Sequence, residues 1–234
     1  IARLVGSEMC IRDRSNTSSP TPLDVWTTSG KYLQPQRADQ WAIGFATERD
    51  NGNSFEAESF YKITKNRYDY IDGAELVANE ALERILLAGK GRAYGLELLF
   101  KKTQGNVTGL VAYTLAKAEQ QTKGIGQSDP GINNGNWYNA PYDKTHDLSM
   151  SVTYTPSKRW EWNANFLAQS GQPITYPVGQ YEFMGTRVPN YGARNGQRLP
   201  FYHRLDIAAT LTPKKNKAKK LKGNWVFGIY NIYN

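Results

Sequence analysis

Two histidines, His146 in "YDKTHDLS" and His203 in "YHRLD", are where acid–base chemistry at neutral pH would have to start in this sequence. Each begins a predicted strand beside a charged neighbour, Asp147 and Arg204, and a hydrogen-bonded histidine at a strand end accounts for both. The single cysteine, Cys10, permits no intramolecular disulfide and no cysteine-based metal site. A zinc site would therefore need carboxylates at no recognisable spacing. "GKGRAYG" (89–95) matches neither G-x-G-x-x-G nor the Walker spacing, and a strand follows it where a phosphate loop needs a helix. "SDPGINNGN" lacks EF-hand register. The sequence thus predicts no enzyme, no catalytic residue, no metal and no cofactor.

Binding is the chemistry that remains. Trp137, Tyr138, Tyr142, Tyr176, Tyr181, Tyr191, Arg194 and Arg198 combine stacking surfaces with cationic donors in long connections rich in Gly, Asn and Pro. Loops on a rigid scaffold are where recognition residues concentrate, and packing between adjacent loops competes with that reading for each of the eight. The sequons at Asn16 and Asn106 add nothing.

The elements that would hold those loops follow from a period of two. Eight candidate strands each carry one apolar face. Trp41, Ile43 and Phe45 share a side in 41–47. Residues 55–63 set Phe55, Ala57, Tyr61 and Ile63 against Glu56, Glu58 and Lys62. Residues 93–101 set Tyr94, Leu96, Leu98 and Phe100 against Glu97 and Lys101. Further strands are expected at 107–117, at 148–154 and around Trp160, Trp162 and Phe166. Leu205, Ile207, Ala209 and Leu211 oppose Arg204, Asp206 and Thr210, and Trp225, Phe227 and Ile229 complete the set. "DGAELVANEALERILLAG" (72–89) predicts at most a short helix before Gly89.

Connection lengths alternate: short (49–54), long (64–92), short (102–106), long (118–146), short (156–159), long (169–203), then moderate (213–223). Membrane barrels sort their connections in this way, with tight turns at one rim and long loops at the other. Trp41, Tyr61, Tyr94, Tyr154, Trp160, Trp162 and Trp225 gather near strand ends, as interfacial girdles or as ordinary sheet aromatics. The polar average, with 39% hydrophobic residues and a mean hydropathy of −0.63, does not oppose a barrel. Every second side chain of a barrel strand is polar, and only helical spans require 18 apolar residues in a row.

The formal charge of +8 is local. Removing the six lysines of "KKNKAKKLK" (214–222) leaves +2. No aromatics interleave those lysines, so a solvated turn is expected there and no nucleic-acid partner. "VGSEMCIRDR" (5–14) resembles translated sequencing-adapter read-through, and 1–14 are set aside from the fold.

Taken together, "LQPQRADQWAIGFAT", "GRAYGLELLFKKTQG", "NNGNWYNAPYDKTHDLSMSVTY", "QSGQPITYPVGQY", "RNGQRLPFYHRLDIAATL" and "WVFGIYNIYN" resemble the barrel of a TonB-dependent outer-membrane receptor of the kind common in Bacteroidota. The resemblance covers about 22–234. It implies an all-β fold, an antiparallel transmembrane barrel segment of about eight strands out of 22, with long extracellular loops and short periplasmic turns. Residues 15–39 would be an extracellular loop and 40–234 a partial barrel whose plug domain and TonB box lie outside this sequence. Glu97, Arg204 and Asp206 would face the lumen.

The implied function is import of a scarce nutrient (siderophore, vitamin, oligosaccharide or peptide) across the outer membrane of a Gram-negative cell. The implied partners are outer-membrane lipid, the receptor's own plug domain, the TonB complex and the small ligand. A passive pore, an adhesin scaffold and a soluble β-sandwich binding module remain as alternatives. The sandwich would bring two apolar sheet faces together, whereas the barrel would leave one facing acyl chains.

Overall fold

The computed structural model describes residues 30, 33–73, 82–125, 129–214 and 223–233. Thirteen strands form among the described residues, in chain order. They are β1 (Arg37–Glu48), β2 (Asn53–Tyr70), β3 (Leu86–Lys102), β4 (Val107–Gln121), β5 (Trp137–Asn139), β6 (His146–Tyr154), β7 (Trp160–Gln169), β8 (Pro173–Ile174), β9 (Pro177–Phe183), β10 (Thr186–Tyr191), β11 (Gln197–Arg198), β12 (Tyr202–Leu211) and β13 (Trp225–Ile229). Eight of them follow one antiparallel path, β1-β2-β3-β4-β6-β7-β12-β13, and these are the eight expected from the period-two pattern. The path has two ends among the described residues, so the sheet is a segment and not a closed barrel.

Cross-strand register makes the two faces continuous. Trp41 lies opposite Tyr61 and Tyr61 opposite Tyr94; Leu98 meets Tyr113, Tyr113 meets Leu148, and Phe166 meets Leu205. A one-residue slip anywhere would move a strand's apolar set to the other face, so the alternation fixes the pairing. The apolar face is uncovered. Ile43 is 78% exposed, and Trp41, Phe45, Phe100, Leu115, Trp162 and Phe227 are also open. A dry sandwich has no counterpart here: the only other described sheets are the two-stranded pairs β9-β10 and β8-β11.

The structure departs from expectation at the long-loop end. β2 runs on to Tyr70, β3 starts at Leu86 and β4 reaches Gln121, several residues beyond the predicted limits. In the stretch expected to hold a helix, a 3-10 turn spans Leu82–Ile85 and the strand begins immediately after it; 74–81 lie outside the described residues. Leu86 and Leu87 are buried and paired to Tyr70 and Asp69, so ladder hydrogen bonds and burial outweigh local helix propensity. Gly89 permits the close approach, because a Cβ there would meet the Gln121 carbonyl oxygen at 2.5 Å. β1 begins at Arg37, inside the stretch expected to be loop. The five short strands β5 and β8–β11 were not anticipated. Residues 1–14, and 215–222 of the lysine run, lie outside the described residues.

Candidate binding loops at the long-loop end

A bulge in β2 sets up the site. Asn66 sits at φ 54°, a left-handed conformation that asparagine tolerates better than most residues, and the register with β3 shifts between Lys65 and Arg67. Strict alternation would send Arg67 and Asp69 to the apolar side. The extra residue turns them to the polar side.

Asp69 then becomes the hub of a network joining the loops. Its carboxylate accepts hydrogen bonds from Gln120 Nε2 at 3.1 Å, from the Tyr138 hydroxyl at 2.7 Å and from an Arg194 guanidinium nitrogen at 2.9 Å. Arg67 Nε donates to Gln120 Oε1 at 2.5 Å, and another of its nitrogens donates to the Tyr142 hydroxyl at 2.8 Å. Tyr138 is only 5% exposed and its hydroxyl lies 3.1 Å from the Thr122 hydroxyl. Burial, reinforced by the Asp69 carboxylate, pushes the Tyr138 phenol well above its ordinary pKa.

Two arginines fasten the third long loop to the others. Arg194 also pairs with Asp72, its backbone N–H donates to Asn133 Oδ1 at 2.8 Å, and Asn133 Nδ2 donates to its carbonyl at 3.0 Å. Asn195 Nδ2 donates to the Asn139 carbonyl at 2.8 Å. Arg198 pairs with Asp143 and donates to the Gly171 carbonyl at 3.0 Å. Asp143 is 2% exposed and accepts the Ala118 N–H at 2.5 Å. A buried carboxylate held by a guanidinium and an amide is a fixed anchor, because losing either partner strands the charge. In the same loop Asp129 accepts the N–H groups of Gly131 and Ile125, which lowers its pKa.

The eight expected loop residues therefore separate into three groups. Tyr138, Arg194 and Arg198 are occupied in holding loops together. Trp137 is on the opposite face from Tyr138, with the Arg92 guanidinium 4.2 Å from its ring. Tyr142, Tyr176, Tyr181 and Tyr191 are exposed, and of these Tyr142 has its hydroxyl and its ring against Arg67. Tyr176 lines an open cavity of about 500 Å³ with Ile174, Val178, Leu199 and Arg198. Arg67, Asp69, Gln120 and Asp143 were missed; the one signal for the first two was an asparagine interrupting the alternation of β2.

On the polar face, Glu97 lies directly opposite Glu58 and Thr114. Arg204 and Asp206 pair at 3.0 Å, and the Asn231 N–H donates to Asp206 at 2.9 Å. Both histidines have aromatic partners. His146 Nδ1 lies 2.8 Å from the Tyr113 hydroxyl, and His203 meets the edge of Tyr233 at 5.2 Å between centroids. Among the described residues, no group of three or more His, Cys, Asp or Glu side chains could hold a metal ion.

An antiparallel sheet with one uncovered apolar face, tight turns at one end and interlocked loops at the other is the wall of a receptor-type β-barrel. Comparison with known families agrees. The model of the TonB dependent receptor-like β-barrel matches residues 11–232, and the chain belongs to that family. The match begins at residue 11, inside the stretch set aside as an adapter artefact. No curated protein matches. Among solved structures, the ferric-catecholate import receptor Fiu from K12 E. coli, in its closed form, superposes with a TM-score of 0.55 at 17% identity. The alignment covers 89% of this chain and 26% of that receptor, so the chain corresponds to about a quarter of its length.

Proposed function

We propose that the chain is part of the barrel wall of an outer-membrane receptor that binds a scarce nutrient at its long loops and imports it with energy delivered through TonB. The observation that carries this reading is the exposed apolar face between two aromatic rows. One row, Trp41, Tyr61 and Tyr94, stacks at centroid spacings of 6.4 and 6.3 Å. The other, Tyr154, Trp160, Trp162 and Trp225, lies by the short turns. On β4 the two rows fall beside Lys117 and Val107, a separation of roughly 33 Å at ~3.3 Å per residue. A strand tilted by about 40° converts that to about 25 Å of height, which is the apolar band of an outer-membrane barrel. On this reading Glu97, Arg204 and Asp206 face the lumen, and the exposed tyrosines with the cavity beside Tyr176 meet the ligand.

The polar face supports an internal partner. Like charges directly opposed across strands are destabilising, and neither Glu58 nor Glu97 has an ion pair among the described residues. A cationic surface on the plug domain would relieve them. The test uses the full-length receptor in cells grown on limiting nutrient: uptake should stop when TonB is removed and fall when Tyr142, Tyr176, Tyr181 and Tyr191 are changed together to Ser. Uptake that persists without TonB would leave a passive pore.

A further inference from the structure

Past the clasp that Arg194 makes, the third long loop runs out as a hairpin of β9 and β10. They are joined by the two-residue turn of Met184 and Gly185, both at positive φ (49° and 76°), as a tight hairpin turn requires. β9 is exposed along its whole length. A two-stranded ribbon by itself is only marginally stable in water, and a third strand would complete it.

The two edges of this ribbon are not alike. The turn makes Phe183 and Thr186 a hydrogen-bonded pair, and alternation gives the next ladder bonds to Tyr181 with Val188 and to Gly179 with Asn190. The N–H and C=O groups of Gln180 and Glu182 therefore point away from β10, and no described strand takes them. The opposite edge is closed, because Pro189 stands across from Gln180 and has no N–H to offer. Next to the free groups, a Cβ on Gly179 would have nothing within 4 Å, and glycine inside a strand marks places where another backbone comes close.

The spacing of the open edge decides what fits it. Donor and acceptor recur at every second residue, roughly 7 Å apart, and an extended polypeptide repeats them at the same interval. The strand also opens at the cavity, since Tyr176, Pro177 and Val178 line it with the apolar walls of Ile174 and Leu199. We infer that the ligand of the long loops is an extended peptide, which adds to β9 as a third strand and sets an apolar side chain in that cavity. The inference rests on the reading of these loops as the nutrient-binding end.

The full-length receptor in detergent should be titrated with capped hexapeptides that alternate threonine with valine, leucine or phenylalanine. Binding should protect the amides of Gln180 and Glu182 from hydrogen exchange and leave β10 unchanged, and the same peptides N-methylated at every interior amide should not bind. Gln180→Pro removes one donor from the open edge without touching the ladder to β10. It should weaken binding about tenfold, the usual scale for one lost hydrogen bond. Arg187→Pro, the equivalent change on the closed edge, should leave affinity as in the parent. No peptide binding to the parent, or equal affinity of the parent and Gln180→Pro, would overturn the proposal. A doubling of receptor mass without peptide, abolished by Gln180→Pro, would overturn it in favour of a second copy of the chain. Uptake of the limiting nutrient separates the two levels. TonB-dependent uptake with no peptide bound defeats the peptide assignment alone, whereas peptide binding with uptake that ignores TonB defeats the importer reading and leaves the open edge its ligand.

Discussion

Asp69 shows how much of the loop architecture rests on one side chain, since it accepts from Gln120, Tyr138 and Arg194 on three separate segments. Asp69→Asn keeps the shape, removes the charge that Arg194 faces and replaces an acceptor with a donor; a cost of about 1–3 kcal/mol in local opening is expected. Hydrogen exchange of the full-length receptor should speed up in 132–139 and 193–198 while β6 and β7 stay protected. Tyr138 adds a pH dependence. Its phenol is raised in the folded state, so the neutral form is favoured there. The associated stability is complete below the ordinary tyrosine value near 10 and is lost as pH rises above it. Proteolysis of the loops should therefore increase as pH rises above about 10 in the parent, and Tyr138→Phe should flatten that rise. Adjacent positions in this loop serve opposite faces, which is why eight nearby aromatic and basic residues did not make one site. Nothing in the spacing of Trp137 and Tyr138 announces that one packs under Arg92 and the other over Asp69.

At the scale of elements, the strands were legible wherever one face is apolar and the other polar, and illegible where that contrast fades. The middle of β3 reads cleanly from Tyr94 to Phe100, whereas its start at Leu86 and Leu87 is apolar on both faces, and both side chains are buried. The end of β2 was hidden for a different reason: the Asn66 bulge breaks the alternation, so Arg67 to Tyr70 look like loop. Deleting Asn66 should restore strict alternation and carry Arg67 and Asp69 to the apolar side. Loss of ligand binding with the β2–β3 ladder intact below Lys65 is expected, and exchange protection in Ser54–Lys62 checks the second half. The two faces of β4 can be compared directly. Val111, midway between the aromatic rows, should lose roughly 2–4 kcal/mol on change to Arg, measured by reversible unfolding of the full receptor in bilayers. Ala112→Arg on the polar face should cost clearly less, and equal costs would contradict the assignment of sides.

For the whole molecule, the decisive property is an apolar surface that nothing among the described residues covers. Trp41, Ile43, Phe45, Trp225, Phe227 and Ile229 are exposed on the two end strands, β1 and β13, where backbone groups are also unpaired on one side. Water tolerates neither feature: a broad apolar patch associates, and an open strand edge recruits further strands. The residues described here should therefore aggregate when expressed alone without detergent, and a monodisperse monomer in plain buffer would contradict the barrel assignment. Within the full-length receptor the same surface should meet acyl chains. A fluorophore at position 207 should be quenched by brominated lipid and one at position 206 should not, because Ile207 stands on the apolar face and Asp206 is paired to Arg204 on the polar one. Equal quenching at the two positions would mean that alternate residues do not face different media, and the physical basis of both the fold and the proposed transport would fall together.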